Sequence, residues 1–329
     1  MRASARTFAA LLFCLAWALV SCGASERAGE EEPPDQSSAT EEMTGQTIRP
    51  DGEETAEPSE ASSQPSGGVG EAIALTGFDF RVLDYVSTPE YSYLEAANPD
   101  GTTEGEEGIS AAGKFVVVTY TARNAGSATK TAALSATLET EGGEAYPEAE
   151  TPKNPNSGYA GLELAPRQLG TGQFIFDVPQ DVEPVRLNVG IKYASGQLTG
   201  EGASIDLTRQ DPQGPTPEEI MALAYTYINM GAWGECYALL ADESKQLVPE
   251  KQFVAYFESA DPIGVEGFSF PSVDVQGDRA TVRTDFGTAT EGEEPEQLTQ
   301  ELVLQEDGWR IVAREDLIEA FTGTAEATQ

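Results

Sequence analysis

The 329-residue chain has no histidine and only three cysteines. Without imidazole it lacks the side chain most used as a base near neutral pH, which is also the commonest metal ligand. Cys14, Cys22 and Cys236 are too few for a zinc site of the Cys/His type. Cys14 falls in a segment expected to be removed and Cys22 at its end, so Cys236 has no partner for an internal disulfide. Cations are scarce as well: Lys+Arg is 19 against Asp+Glu 56, a formal net charge of -37. Such a chain repels phosphate backbones and anionic headgroups, which argues against nucleic acid and against a polybasic grip on lipid. Neither a P-loop, a G-x-G-x-x-G, a G-x-S-x-G nor an H-E-x-x-H occurs, so no cofactor or metal is expected.

The amino terminus, MRASARTFAALLFCLAWALVSCG, is distinctive. Arg2 and Arg6 precede an uncharged apolar stretch from Phe8 to Val20. Its length suits a secretory signal and falls short of the ~20 residues that span a bilayer. Leu19-Val20-Ser21-Cys22 then resembles the lipobox of bacterial lipoproteins. The resemblance implies cleavage between Ser21 and Cys22, with a diacylglyceryl group on the Cys22 thiol. Each buried acyl CH₂ contributes about 0.8 kcal/mol, so two or three chains anchor stably. The expected location is the extracytoplasmic face of a cell membrane, with the membrane itself a partner through the lipid.

Residues 22–70 are dominated by Glu, Ser, Thr, Pro and Gly, with Met43 and Ile48 almost the only large apolar side chains. Nothing there offsets an ordering cost of about 1–2 kcal/mol per residue, so a disordered acidic tether is expected. Its mean reach is on the order of 40 Å.

From 71 to 208 the pattern is β. Phe78, Phe80 and Val82 alternate with Asp79 and Arg81. GKFVVVTYTARN is apolar on both parities at its centre, as expected for a strand in a sandwich core. Leu134, Ala136 and Leu138 share one side, and Phe174, Phe176 and Val178 another. Short strands with Gly and Pro turns indicate an immunoglobulin-like antiparallel sandwich. GKFVVVTYTARNAG, EGGEAY and LAPRQLGTGQFIFDVP resemble the telokin-like, immunoglobulin-type domain of bacterial lipoproteins and secreted actinobacterial antigens. That family usually has Pro-Gly where this chain has Pro166-Arg167, and it implies a sandwich without catalytic residues.

RQDPQGP, 209–215, reads as a linker. In 216–322 the period changes. Thr216, Pro217 and Glu219 make a helix start with a capping box, and Ile220, Leu223, Ala224, Tyr227 and Ile228 form one apolar face. A second helix is expected to carry Trp233, Cys236, Tyr237 and Leu240, and a third to begin near Pro249. Two hairpins follow, through Gly277-Asp278 and Asp307-Gly308. This order, with AWGECYALLADESKQLV and EDGWRIV, resembles the nuclear-transport-factor-like α+β cone. Residues 323–329 read as a disordered tail.

Cone-fold enzymes use a carboxylate or a His–Asp pair in the mouth of the cone; the second is impossible here. Asp274 and Asp285 are the strand carboxylates, but their apolar neighbours place them on the outer face. Tyr227, Trp233, Tyr237, Phe253, Tyr256, Phe257 and Phe286 either fill a core or line a small-molecule pocket. Cys236 sits in an apolar helical setting, as a small hydrophobe does. The acidic loops 97–108, with Asp100, Glu104, Glu106 and Glu107, and 290–297 lack EF-hand spacing. The reading is a non-enzymatic exported lipoprotein that binds or scaffolds an unidentified protein or small-molecule partner at the cell surface. The alternatives are a small-molecule sensor using the cone cavity and a degenerate isomerase or cyclase.

Overall fold

A computed structural model describes residues 64–93, 107–149, 162–192, 198–212, 214–259, 268–286, 296–315 and 317–318. Readings that concern the signal, Ser21, Cys22, the tether before Gln64, the loop carrying Asp100, Glu104 and Glu106, and the tail lie outside these residues. No described helix is long and apolar enough to cross a membrane.

Two sheets make a β-sandwich. The first has the order β2 (Ile73–Leu75), β3 (Phe78–Tyr93), β4 (Glu107–Asn124), β9 (Leu169–Val178). The second runs β1 (Ser66–Val69), β11 (Leu198–Gln210), β10 (Pro184–Lys192), β6 (Leu134–Thr140), β7 (Ala145–Pro147). β5 (Lys130–Ala132) and β8 (Leu162–Leu164) pair separately. Phe80, Val82, Val118, Tyr120, Phe174 and Phe176 of the first sheet meet Leu138, Leu187, Val189 and Ile205 of the second in one core. Full burial of each such side chain contributes about 1.5–3 kcal/mol. The Tyr120 and Phe174 rings stack at 4.5 Å.

Two sequence expectations are corrected here. Ser66–Val69, placed in the tether by composition, forms β1 and pairs parallel to β11 within an otherwise antiparallel sandwich. Its glycines permit close approach rather than flexibility: a Cβ on Gly68 would meet the Arg209 carbonyl oxygen at 2.6 Å. The expected second helix is broken. After α1 (Pro217–Asn229), α2 (Trp233–Ala238) stops short of Leu240, which bridges in parallel to Ile311. A further short helix, α3 (Asp242–Leu247), precedes α4 (Glu250–Ser259).

β12 (Phe268–Gln276), β13 (Arg279–Phe286), β14 (Glu296–Gln305) and β15 (Gly308–Ile311) then form an antiparallel meander. Val282, Ala280 and Leu302 pack towards the helices.

A bulge explains the joint. β3 and β4 pair Val82 with Tyr120 and Asp84 with Thr119, leaving Leu83 as the extra residue. Phe78, Phe80 and Val82 therefore enter the sandwich core, whereas Leu83 belongs to the core beneath α1. The insertion also aims Asp84 at α1.

Candidate functional site

Two places collect polar or cavity-forming side chains: the junction between the sandwich and α1, and a cavity among the helices. At the junction, Glu219 begins as a capping residue, its Oε2 accepting the Thr216 N–H at 2.8 Å. The same carboxylate takes an ion pair from Arg81 Nη1 at 3.0 Å and a hydrogen bond from the Thr121 hydroxyl at 3.1 Å. It is 5% exposed. Arg81 also donates to the Gly214 carbonyl, and Arg123 pairs with Glu218 at 2.6 Å.

Further along the same helix, the Tyr227 hydroxyl donates to Asp84 Oδ2, whose other oxygen accepts the Tyr85 N–H. Burial holds the Asp84 carboxyl above its ordinary value, against these two bonds, which act in the opposite direction. Beyond the helix end, Tyr91 donates to Gln173, whose amide contacts Met230 Sδ at 3.0 Å.

The cavity encloses about 50 Å³ between α1, α2, α4 and the segment after β15. Of the aromatic residues singled out in the sequence, Trp233, Phe253 and Phe257 line it. Trp233 stacks on Phe257 at 4.8 Å. Tyr227 is turned to Asp84 instead, Tyr237 donates to the Lys245 carbonyl, and Phe286 packs edge-on against Tyr225. Tyr256 packs against Phe257. The sequence reading did not assign Gln300, Arg314 or Leu317 to the wall. Gln300 was the findable one: it interrupts the inward-facing parity of β14 between Leu298 and Leu302, which marks a buried polar group.

Cys236 lies in this wall, 8% exposed, with its thiol directed to the Ala224 carbonyl. Burial pushes the thiol well above its usual range, so the nucleophilic thiolate is disfavoured. Asp274 is exposed, and Asp285 pairs with Arg283 on the face away from the helices. The inward position between them in the ladder, Thr284, accepts the Tyr225 hydroxyl at 3.1 Å. Neither aspartate nor Asp84 lines the cavity. Among the described residues, no group of three acidic or cysteine side chains converges as a metal site.

Residues 67–198 match the family described as "Domain of unknown function (DUF4352)". No curated protein matches the chain. Among solved structures, an uncharacterized β-sandwich protein from Clostridium difficile 630 is 12% identical, with a TM-score of 0.29, over 46% of this chain and 99% of that one. A secreted protein from Mycobacterium tuberculosis, MPT63, is 15% identical, with a TM-score of 0.27, over 44% of this chain and 99% of that one. The family match lies within the sandwich, and the segment from α1 to β15 falls outside it.

Proposed function

We propose that this chain is an exported bacterial lipoprotein, anchored through Cys22, whose part from Gln64 onward binds or scaffolds a partner at the cell surface without catalysing a reaction. The sandwich is of the telokin-like immunoglobulin type, and α1 to β15 form a cone-like α+β part joined to it. The observation that carries the non-catalytic reading is where the buried ionisable groups are engaged. Glu219, Arg81 and Asp84 tie α1 to the sandwich, and none of the three faces the cavity. A cavity of about 50 Å³ is also far below the roughly 300–1,000 Å³ of a site for a drug-sized molecule.

The anchoring is tested by the intact mass of the protein purified from its native host. Loss of residues 1–21 together with a diacylglyceryl or larger acyl mass on Cys22 is expected, and Cys22→Ala should release the chain from the membrane fraction. An uncleaved start, or a cleaved one without acyl mass, overturns the anchoring. Crosslinking on intact cells tests the binding. Discrete adducts to peptides from 64–318 are expected with the parent and should be lost with Cys22→Ala. A smear independent of anchoring overturns the scaffold reading.

A further inference from the structure

We propose that the cavity between α1, α2, α4 and the chain after β15 binds the end of an unbranched, uncharged aliphatic chain. Its wall is built mainly from Ile228, Trp233, Leu240, Phe253, Phe257 and Leu317. The polar groups that interrupt this wall are engaged with the protein itself. The Cys236 thiol points to the Ala224 carbonyl at 3.6 Å, and Gln300 Nε2 donates to the carbonyls of Glu301 at 3.0 Å and Val312 at 2.6 Å. Arg314 likewise has a partner in the protein. A polar ligand group entering here would leave its water without recovering hydrogen bonds, whereas a methylene loses nothing. An apolar space of this kind favours an apolar guest over a polar one.

Size and charge narrow the class further. One water-sized group needs roughly 10–15 Å³, so about 50 Å³ holds three to five such groups. That fits the last four or so carbons of a linear chain and leaves any headgroup outside. With 56 acidic against 19 basic residues, the protein's field opposes an anionic ligand. An alcohol or ester is therefore favoured over a carboxylate of the same length.

The wall contains its own reporter, because Trp233 is one of three tryptophans, with Trp17 and Trp309. The experiment uses the chain from position 22 onward carrying Cys22→Ser, without the apolar residues 1–21, so that no detergent is needed, and follows the indole N–H resonances by two-dimensional NMR. The probes are 1-butanol, 1-pentanol, 1-hexanol, cyclohexanol and hexanoate. A saturable shift at Trp233 is expected, present already with butanol, and affinity should rise less than about fourfold per methylene from butanol to hexanol, because carbons beyond the fourth lie outside the cavity. Cyclohexanol and hexanoate should bind at least tenfold more weakly than hexanol. Ala224→Leu and, on the opposite wall, Leu317→Phe should each fill the cavity and abolish the shift, with folding checked by the remaining spectrum.

No saturable Trp233 shift, equal shifts at all indoles, hexanoate binding as tightly as hexanol, or undiminished binding in both folded variants would each overturn the proposal. It rests on reading the chain as a non-catalytic binder, yet the two fail separately. Loss of hexanol binding leaves the acyl mass and surface crosslinks untouched, and a missing acyl group leaves the cavity as it is.

Discussion

The two faces of the sheet β2-β3-β4-β9 are both buried, and they are built on different principles. The inner face is aromatic and aliphatic: Phe80, Val118, Tyr120 and Phe176 meet the opposite sheet. The outer face carries Arg81, Thr119, Thr121 and Gln173 beside Val117 and Ile175, and it receives α1 and the far ends of β3 and β4. The inner face gains its stability from area removed from water. The outer face depends on directed bonds, which fix where α1 lies but add little net energy beyond an apolar equivalent.

The contrast can be broken hardest from the inside. Phe176→Ala should cost about 3–5 kcal/mol, read as a lowered denaturant midpoint at unchanged slope. On the outer face, Glu219→Ala strips the counter-charge from Arg81, whose side chain keeps 17% exposure. The expected loss is about 2–3 kcal/mol, below the roughly 3–5 typical of fully enclosed pairs. The sharper test is the double substitution Arg81→Met with Glu219→Met. It should recover only the part of that loss due to the uncompensated Arg81 charge, since the Thr216 N–H, the Thr121 hydroxyl and the Gly214 carbonyl lose their partners as well. No recovery at all would show that the ion pair itself, and not the stranded Arg81 charge, carries the loss.

The junction should also be the pH-sensitive face. Burial raises the Asp84 carboxyl above its ordinary 3.8, so the folded state holds the proton more tightly than the unfolded chain. Its stabilising contribution is complete below pH 3.8 and is lost as pH rises through the folded-state value. The stability difference between the parent and Asp84→Asn should therefore move against the parent as pH rises across that window. Urea unfolding at matched ionic strength checks it, and a constant difference between acid and neutral pH would remove Asp84 as the source.

The smallest effect concerns a turn shared by both faces. Arg167 adopts φ 66°, a left-handed conformation that suits glycine, and only its backbone is used, its N–H donating to Asn124 and its carbonyl accepting from Arg123. Arg167→Gly should raise stability by about 1 kcal/mol, seen as a thermal midpoint higher by a few degrees.

The inner face was legible in the sequence because its period is unbroken. Phe78-Phe80-Val82, Leu134-Ala136-Leu138 and Phe174-Phe176-Val178 all point where alternation places them. The outer face was less legible: the run Phe115-Val116-Val117-Val118 is apolar on both parities, which marks a strand in a sandwich core without naming what covers its second face. What alternation could not give was the Leu83 bulge. One extra residue reverses parity, and it moves Asp84 from the inner face, where alternation after Phe80 and Val82 would place it, to the outer face, where it accepts from Tyr227.

The cavity was half legible for a related reason. Trp233, Phe253 and Phe257 follow the helical period, but the wall from Gln300 to Leu317 depends on a chain segment folding back after β15. Glu219 was read as a local cap and proved to be a long-range contact as well. Composition failed outright at Ser66–Val69, where glycine meant proximity and not freedom.

That short first strand has a mechanical consequence. β1 lies parallel to β11 over Ser66–Gly68, and the Asp211 N–H continues the contact to the Val69 carbonyl at 2.7 Å. Tension applied to the chain ahead of Gln64 along the strand axis would load these bonds together, in shear, instead of peeling them one by one. A leash attached this way can tug on the molecule without first unzipping the sheet it is sewn into.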